Sequence, residues 1–152
     1  MSRTEHTARS SEETIALGRD IAARLGPPVI VALRGELGSG KTTLAKGIIS
    51  GLGAAREEDV TSPTFTLVHV YRNPLNGLRV HHADLYRVSD FHDLETLGLE
   101  DVFDQPGVLI VEWAEKLTLR SDWPVLDVEL AYAGDAARRI AVQHLPAFAS
   151  RP

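Results

Sequence analysis

Leucine and isoleucine recur at every fourth position in two segments of the chain, which is the spacing of one helical face. The first segment predicts an amphipathic helix over residues 11–25. Ser10 and Glu13 have the spacing of a capping box at its start, and Pro27 ends it because proline has no amide donor. The second segment predicts a helix over residues 41–52.

Short runs of apolar and β-branched residues predict the strands. Val29–Leu33 and Val108–Val111 are apolar on both faces, which is typical of central strands in a parallel sheet. We therefore expect these two runs to form the central pair of the sheet. Two hairpins are also predicted, one from residues 65–71 and 78–84 and one from residues 125–132 and 138–142.

The order of these elements indicates an α/β protein with a mixed, partly antiparallel central sheet flanked by helices. A short helix predicted over Ser89–Leu97 completes the series of helix, strand, glycine-rich loop, helix, hairpin, helix, strand and hairpin. The length suits one domain over residues 1–152, with the tail from about residue 145 loosely held.

Composition narrows the class of protein. Apolar residues make up 43% and charged residues 24% of the chain, as in ordinary globular proteins, and no cysteine is present for disulfides or thiolate metal sites. No signal peptide and no membrane-length apolar run is visible, so we expect a soluble, cytoplasmic protein with no membrane partner. The net charge of −5, with scattered arginines, disfavours a direct nucleic-acid surface.

The segment Gly35–Thr42 matches the phosphate-binding pattern G-x-x-x-x-G-K-[ST] at every fixed position. Its glycines let the amides of residues 37–43 approach phosphates closely, while Lys41 reaches the outer phosphates and Thr42 is placed to bind Mg²⁺. A buried strand before the loop and a helix after it predict the P-loop NTPase fold; a glycine-rich turn without a ligand is the alternative. The predicted phosphate contacts are Gly38, Ser39, Gly40, Lys41, Thr42 and Thr43.

Two carboxylates are expected to complete this site. Glu112 follows the strand Val108–Val111, at the strand end where α/β sheets bind ligands, which predicts a Walker-B-type Mg²⁺ partner. Asp84 lies at another predicted strand end, where Lys41, Arg87 or a metal-bound water would satisfy it. The alternatives are a solvated acid at Glu112 and a plain salt bridge from Asp84 to Arg87.

Three further features have two interpretations each. The hydroxyl-rich segment Thr61–Thr64 occupies the place of a switch loop, although turn chemistry around its proline explains it equally well. The Trp113 side chain either forms a wall of the nucleotide site or packs in the core. His81 and His82 are adjacent on a predicted strand and therefore point to opposite faces, so they do not form a metal pair.

The sequence favours ATP as the nucleotide. The guanine-reading motif Asn-Lys-x-Asp is impossible, because the only asparagines, Asn73 and Asn76, do not precede a lysine. The loops of protein kinases are absent as well. A small-molecule P-loop kinase stays open, although no arginine-rich lid helix is visible, and so does a nucleotide-sensing binding module with negligible turnover.

Four motifs in this order resemble the bacterial TsaE family, formerly called YjeE, over roughly residues 10–142. They lie at residues 35–43, 61–65, 82–87 and 111–113. The resemblance implies an ATPase needed to make threonylcarbamoyladenosine at position 37 of ANN-decoding tRNAs. It also implies protein partners of the TsaB–TsaD type. The protein would then contact tRNA only indirectly, through these partners.

The resemblance further assigns roles to single residues. Lys41, Asp84 and Glu112 would be catalytic; Thr42 and Glu112 would hold Mg²⁺, and Asp84 would position water or assist the metal. Thr64 and Trp113 would join the P-loop residues in binding ATP, Thr64 as part of the switch and Trp113 as a wall. Adenine contacts are expected near Thr14 and near Arg138 or Arg139. Whether Asp84 or Glu112 touches the metal directly stays open.

Overall fold

One mixed sheet of seven strands organises the computed structural model, which describes residues 3–63, 67–87, 99–114, 122–134 and 137–145. The elements in chain order are β1 (Arg3–Ala8), α1 (Ser11–Arg24), β2 (Val29–Gly35), α2 (Lys41–Gly51), β3 (Val68–Arg72), β4 (Arg79–Asp84), β5 (Val108–Glu112), β6 (Val125–Tyr132) and β7 (Arg138–Leu145). Short 3₁₀ turns lie at Glu57–Asp59 and Leu99–Asp104.

The strand order β1-β7-β6-β2-β5-β4-β3 confirms the mixed α/β sheet. Strand β2 is parallel to β5 and β6, and β4 is parallel to β5. The pairs β1–β7, β6–β7 and β3–β4 are antiparallel. The two apolar strands predicted at the centre of the sheet, β2 and β5, are indeed neighbours there.

Helix α1 begins where the capping pattern predicted. The Ser10 hydroxyl accepts the Glu13 amide at 3.1 Å, as an N-cap does. The Glu13 carboxylate accepts the amide of Arg9 at 3.1 Å, one residue before the position that a capping box would use. The helix then ends at Arg24, next to the predicted boundary.

Strand β1 was not predicted from the sequence. It pairs only with β7 in the described sheet, and five of its six residues, Arg3–Thr7, are exposed. An edge strand exposed on both faces needs no apolar alternation, so the pattern that predicts strands is missing. Other predictions cannot be compared: the helix over Ser89–Leu97, residues 65 and 66 of the first hairpin and the tail from residue 146 lie outside the described residues.

Both α-helices cover the same face of the sheet. The apolar cluster on that face includes Ile21, Val31, Leu33, Leu44, Ile48, Val128 and Ile140. The cluster on the opposite face includes Ile30, Ala32, Val102, Leu109, Val111 and Trp123. Burial on both faces explains why β2 and β5 are continuously apolar. None of the helices in the described part of the chain is long and apolar enough to cross a membrane.

Helices α1 and α2 touch through their backbones at two glycines. A Cβ on Gly18 would lie 2.6 Å from the carbonyl oxygen of Leu44, and a Cβ on Gly47 would collide with the carbonyl oxygen of Ile15. The contact therefore needs glycine at both positions, and it fixes α2 relative to α1 and the sheet.

The parallel strands end at one edge of the sheet. Leu33 of β2 and Asp84 of β4 are both paired with Glu112 of β5, and Gly35 is paired with Leu130 of β6. This edge, where β2 continues into the glycine-rich loop, is the place where α/β sheets bind ligands.

We predict that Gly47→Ala lowers the free energy of unfolding by about 1–3 kcal/mol, the usual cost of overpacking, even though alanine is the better helix former. Thermal unfolding measures the effect. Gly26→Ala is the control, because a Cβ there meets nothing within 4 Å, and its melting temperature should not fall. Equal stability of the two variants would contradict the backbone contact.

Candidate functional site

The loop between β2 and α2 depends on left-handed glycines. Gly38 has a φ of 79° and Gly40 a φ of 105°, both in the region that side chains disfavour. A Cβ on Gly38 would also lie 2.7 Å from the Tyr132 hydroxyl. Gly40 is the N-cap of α2, and its carbonyl accepts the Leu44 amide at 2.9 Å. The loop thus delivers the helix N-terminus to the sheet edge.

One amide of the loop is already bonded. The Ser39 amide donates to the Glu36 carbonyl at 3.0 Å and closes a turn. This bond occupies one of the amides of residues 37–43 that are predicted to surround phosphates. The Ser39 side chain is fully buried, and its hydroxyl has no hydrogen-bond partner within the described ranges.

The Lys41 ammonium lies inside the loop. It donates to the carbonyls of Gly35 at 2.7 Å and Glu36 at 2.9 Å, and it lies 4.1 Å from the centroid of the Trp113 ring. The residue is only 5% exposed. The carbonyls and the aromatic face compensate a positive charge that burial would otherwise disfavour. The loop therefore carries a fixed cation at the sheet edge.

Glu112 is held by two side chains. The Thr42 hydroxyl donates to its carboxylate, lying 2.9 and 3.0 Å from the two oxygens. On the other side, Nε2 of His82 lies 2.6 Å from Oε2. Glu112 is 3% exposed and His82 is fully buried. The solvated-acid interpretation of Glu112 is therefore wrong: the carboxylate is buried and bonded to the first turn of α2.

Asp84 lies beside Glu112 on the neighbouring strand. The two residues are direct partners in the β4–β5 register, and Asp84 is 4% exposed. Its Oδ1 accepts the Tyr86 amide at 2.9 Å, which orients the carboxylate at the strand end. Two buried carboxylates thus lie near the lysine of the loop.

Trp113 combines the two interpretations that its sequence left open. It contacts Lys41, its ring centroid lies 5.0 Å from that of Tyr86, and it also packs against the core cluster that contains Leu109. Its φ of 62° is rare for a non-glycine residue. Such backbone strain recurs at functional sites, where surrounding contacts hold it in place.

A cavity of about 290 Å³ lies among these groups. Its lining residues are Leu37, Gly38, Gly40, Lys41, Thr42, Thr43, Ser62, Asp84, Tyr86, Glu112 and Trp113. Ser62 brings part of the predicted switch segment to the cavity, whereas Thr64 lies outside the described residues. Within the described ranges, no group of three or more His, Asp or Glu side chains has the arrangement of an all-protein metal site.

The β6–β7 hairpin clamps the outer side of the loop. The Tyr132 hydroxyl donates to the Leu37 carbonyl at 2.9 Å, and the Arg138 guanidinium donates to the Gly38 carbonyl at 3.3 Å while lying over the Tyr132 ring. Of the two arginines expected near a base, Arg138 is therefore at the loop, and Arg139 is exposed on the opposite face.

The other residue named for adenine contacts does not present its side chain to the loop. Thr14 is 3% exposed, and its hydroxyl donates to the Ser10 carbonyl at 3.2 Å within α1. This bond is the ordinary back-bond of a helical threonine. The Thr14 amide donates to the same carbonyl at 3.1 Å, so both polar groups are used within α1.

The sequence patterns indicated no site role for His82 or Tyr132, whereas Arg138 was one of the two arginines expected near the adenine. His82 carried a usable signal, because it lies two residues before Asp84 and so shares its strand face. The adjacent His81 faces the other way, and burial, followed by the charge of Arg79, lowers its pKa below the usual histidine value. Tyr132 had no such signal, because the pairing of β6 with β2 cannot be recognised from the residues around Tyr132 alone.

A buried parallel strand, a glycine loop with a fixed lysine and a helix that begins at that lysine together define an α/β protein of the P-loop NTPase fold. The family model described as "Threonylcarbamoyl adenosine biosynthesis protein TsaE" matches residues 8–140, so the chain belongs to the TsaE family. Proteins of this family are involved in the biosynthesis of threonylcarbamoyladenosine in tRNA, which supports a nucleotide-related role.

Individual relatives agree with this assignment. The TsaE protein of Bacillus subtilis is 40% identical over 129 residues, which cover 85% of this chain and 78% of that protein. The TsaE protein of Treponema pallidum is 33% identical over 135 residues, covering 89% and 96%. The crystal structure of Bacillus subtilis YdiB superposes with a TM-score of 0.70 at 33% identity, covering 93% of this chain and 84% of that one.

We predict that Thr42→Val, measured without ligand, lowers the free energy of unfolding by about 1–3 kcal/mol, because a buried carboxylate loses a donor while the side-chain shape is kept. Urea denaturation measures the loss. Thr42→Ser keeps the hydroxyl and should lose less. If the two variants unfold at the same urea concentration, the Thr42–Glu112 bond does not contribute to stability.

Proposed function

We propose that this chain is a Mg²⁺-dependent ATP-binding and ATP-hydrolysing subunit that is required for threonylcarbamoylation of adenosine 37 in tRNA. The observation that supports it most directly is the Thr42–Glu112 contact beside the buried lysine of the loop. In P-loop enzymes the corresponding hydroxyl binds Mg²⁺ while a carboxylate on the neighbouring strand completes the metal environment.

The residues of the site fit a Mg-nucleotide. The open amides of the loop and the N-terminus of α2 suit an anion, and Lys41 provides a fixed positive charge. Magnesium prefers oxygen ligands, which the hydroxyl of Thr42 and the carboxylate of Glu112 supply. When bound, the ion neutralises charge that develops on the phosphates. Gly38, Ser39, Gly40 and Thr43 provide the backbone that surrounds the phosphates.

Asp84 is the residue that we assign to the attacking water. It is buried beside Glu112, and one of its oxygens accepts the Tyr86 amide. A carboxylate oriented in this way can accept a proton or a hydrogen bond from a water that it holds in line with a phosphate. Glu112 faces Thr42 and is therefore the better candidate for the metal side of the site.

Trp113 and the segment with Thr64 have supporting roles in this proposal. The Trp113 ring lies 4.1 Å from the Lys41 ammonium and lines the cavity, which suits a wall of the nucleotide site. Thr64 belongs to the switch segment, whose neighbour Ser62 lines the cavity. The proposed partners are proteins of the TsaB–TsaD type, and tRNA would be reached only through them, in the cytoplasm. An acidic net charge of −5 suits that indirect route.

We predict that Lys41→Met weakens Mg-ATP binding by about 100-fold and abolishes turnover, because a charge-assisted contact contributes about 1.5–3 kcal/mol. Calorimetric titration with Mg-ATP tests the affinity, and circular dichroism checks that the fold is kept. Lys46→Met, on the same helix but outside the cavity lining, is the control and should bind normally. Normal ATP turnover in Lys41→Met would contradict the assignment of the loop.

We also predict that a TsaB–TsaD pair stimulates ATP hydrolysis by this protein severalfold and that Lys41→Met removes the stimulated rate. Phosphate release is measured with Mg²⁺, alone and after addition of the pair. A slow rate of ATP hydrolysis that does not change when the TsaB–TsaD pair is added would contradict the role in tRNA modification. It would favour a nucleotide-sensing module instead.

A further inference from the structure

The His82 side chain is fully buried, and its only hydrogen bond among the described residues goes to Glu112, the candidate metal ligand. Nε2 of the ring lies 2.6 Å from Oε2 of Glu112. Nδ1, the other ring nitrogen, has no partner among the residues that the structure describes. In the part of the chain that the structure describes, the hydrogen bonding of this ring is thus directed to one carboxylate oxygen of the site.

The bond to His82 restricts how the Glu112 carboxylate can turn. Thr42 binds the carboxylate from the α2 side, and His82 binds Oε2 from β4. Rotation that moves Oε2 away from Nε2 of His82 would break that bond and leave a buried carboxylate oxygen with one partner fewer, which is costly. The terminal torsion of glutamate is otherwise broad, so Thr42 alone would define it poorly.

We propose that His82 is a positioning residue that fixes the Glu112 carboxylate against Thr42 and thereby sets the affinity of the site for Mg²⁺. The inference rests on the proposed Mg-ATP function and deepens it. Partners that orient a metal-binding side chain typically change metal affinity by about 10–100-fold when they are removed. Within the described ranges, the His82 side chain bonds to Glu112 and not to the loop, so its effect should reach the nucleotide only through the metal.

Three substitutions separate the hydrogen bond from the space that the ring fills. His82→Leu removes the donor, and His82→Asn keeps an amide too short to reach Oε2. His82→Gln carries an amide nitrogen at about the reach of Nε2 and can restore the bond. His81→Gln and His81→Leu are matched controls, because His81 points to the opposite face of the same strand and is paired with Leu109, which belongs to the apolar cluster on that face.

The first readout is the Mg²⁺ requirement of ATP binding, measured by calorimetry in EDTA and across a Mg²⁺ titration. In His82→Leu and His82→Asn we expect the half-saturating Mg²⁺ concentration to rise about 10–100-fold, with the affinity for metal-free ATP unchanged. His82→Gln should recover most of the wild-type value, and the His81 controls should keep it.

The second readout needs neither metal nor nucleotide. A double-mutant cycle with His82→Leu and Glu112→Gln, followed by urea denaturation, measures whether the two side chains are coupled. We expect the shifts of the denaturation midpoint to be non-additive, and we expect His82→Leu to have no further effect on the Mg²⁺ requirement once Glu112 is changed. If His82→Leu does not fold, the test is the difference in Mg²⁺ requirement between His82→Gln and His82→Asn.

The possible failures are distinguishable. If the wild-type protein binds Mg-ATP and His82→Asn keeps its Mg²⁺ requirement, the inference is overturned and the proposed function stands. If the Mg²⁺ requirement rises equally in His82→Gln and His82→Asn, the ring acts by shape and the inference is also overturned. If the wild-type protein binds no Mg-ATP at all, the proposed function fails and the inference fails with it.

Discussion

The parallel pairing of β2 with β5 is the constraint on which the rest of the site depends. It aligns Leu33 with Glu112. The glycine-rich loop that follows β2 therefore begins close to the end of β5 that carries the Glu112 carboxylate. Both strands are buried on both faces, which fixes their register through packing. A slip of one residue would turn the Glu112 side chain to the opposite face of the sheet, away from Thr42 and His82.

The loop and α2 are held from two further sides. The backbone contact at Gly18 and Gly47 fixes α2 against α1, and the hairpin residues Tyr132 and Arg138 hold the outer carbonyls of the loop. A site supported in this way is organised before any ligand arrives, which is the arrangement that electrostatic stabilisation of phosphates requires. The strained backbone at Trp113 is tolerated because its ring is packed on both the lysine and the core.

Features that depend on a short local pattern could be predicted from the sequence, and features that depend on contacts between distant segments could not. Gly35–Thr42 and the strand before Glu112 were predictable, because a fixed motif and an apolar run are each contained in one short segment. The edge strand β1 was missed because its exposed residues show no alternation. The contacts made by His82 and Tyr132 depend on which strands lie side by side, and that information arises only when distant segments pair.

The pairing of β1 with β7 has a consequence for the order in which the protein can fold. About 130 residues separate Ala8 from Arg138, its register partner. At synthesis rates of roughly 5–20 residues per second, β1 emerges roughly 7–26 s before the strand that pairs with it. During that time its polar, charged sequence keeps the unpaired strand hydrated. The exposed character that hides β1 from pattern analysis thus protects the nascent chain from premature association.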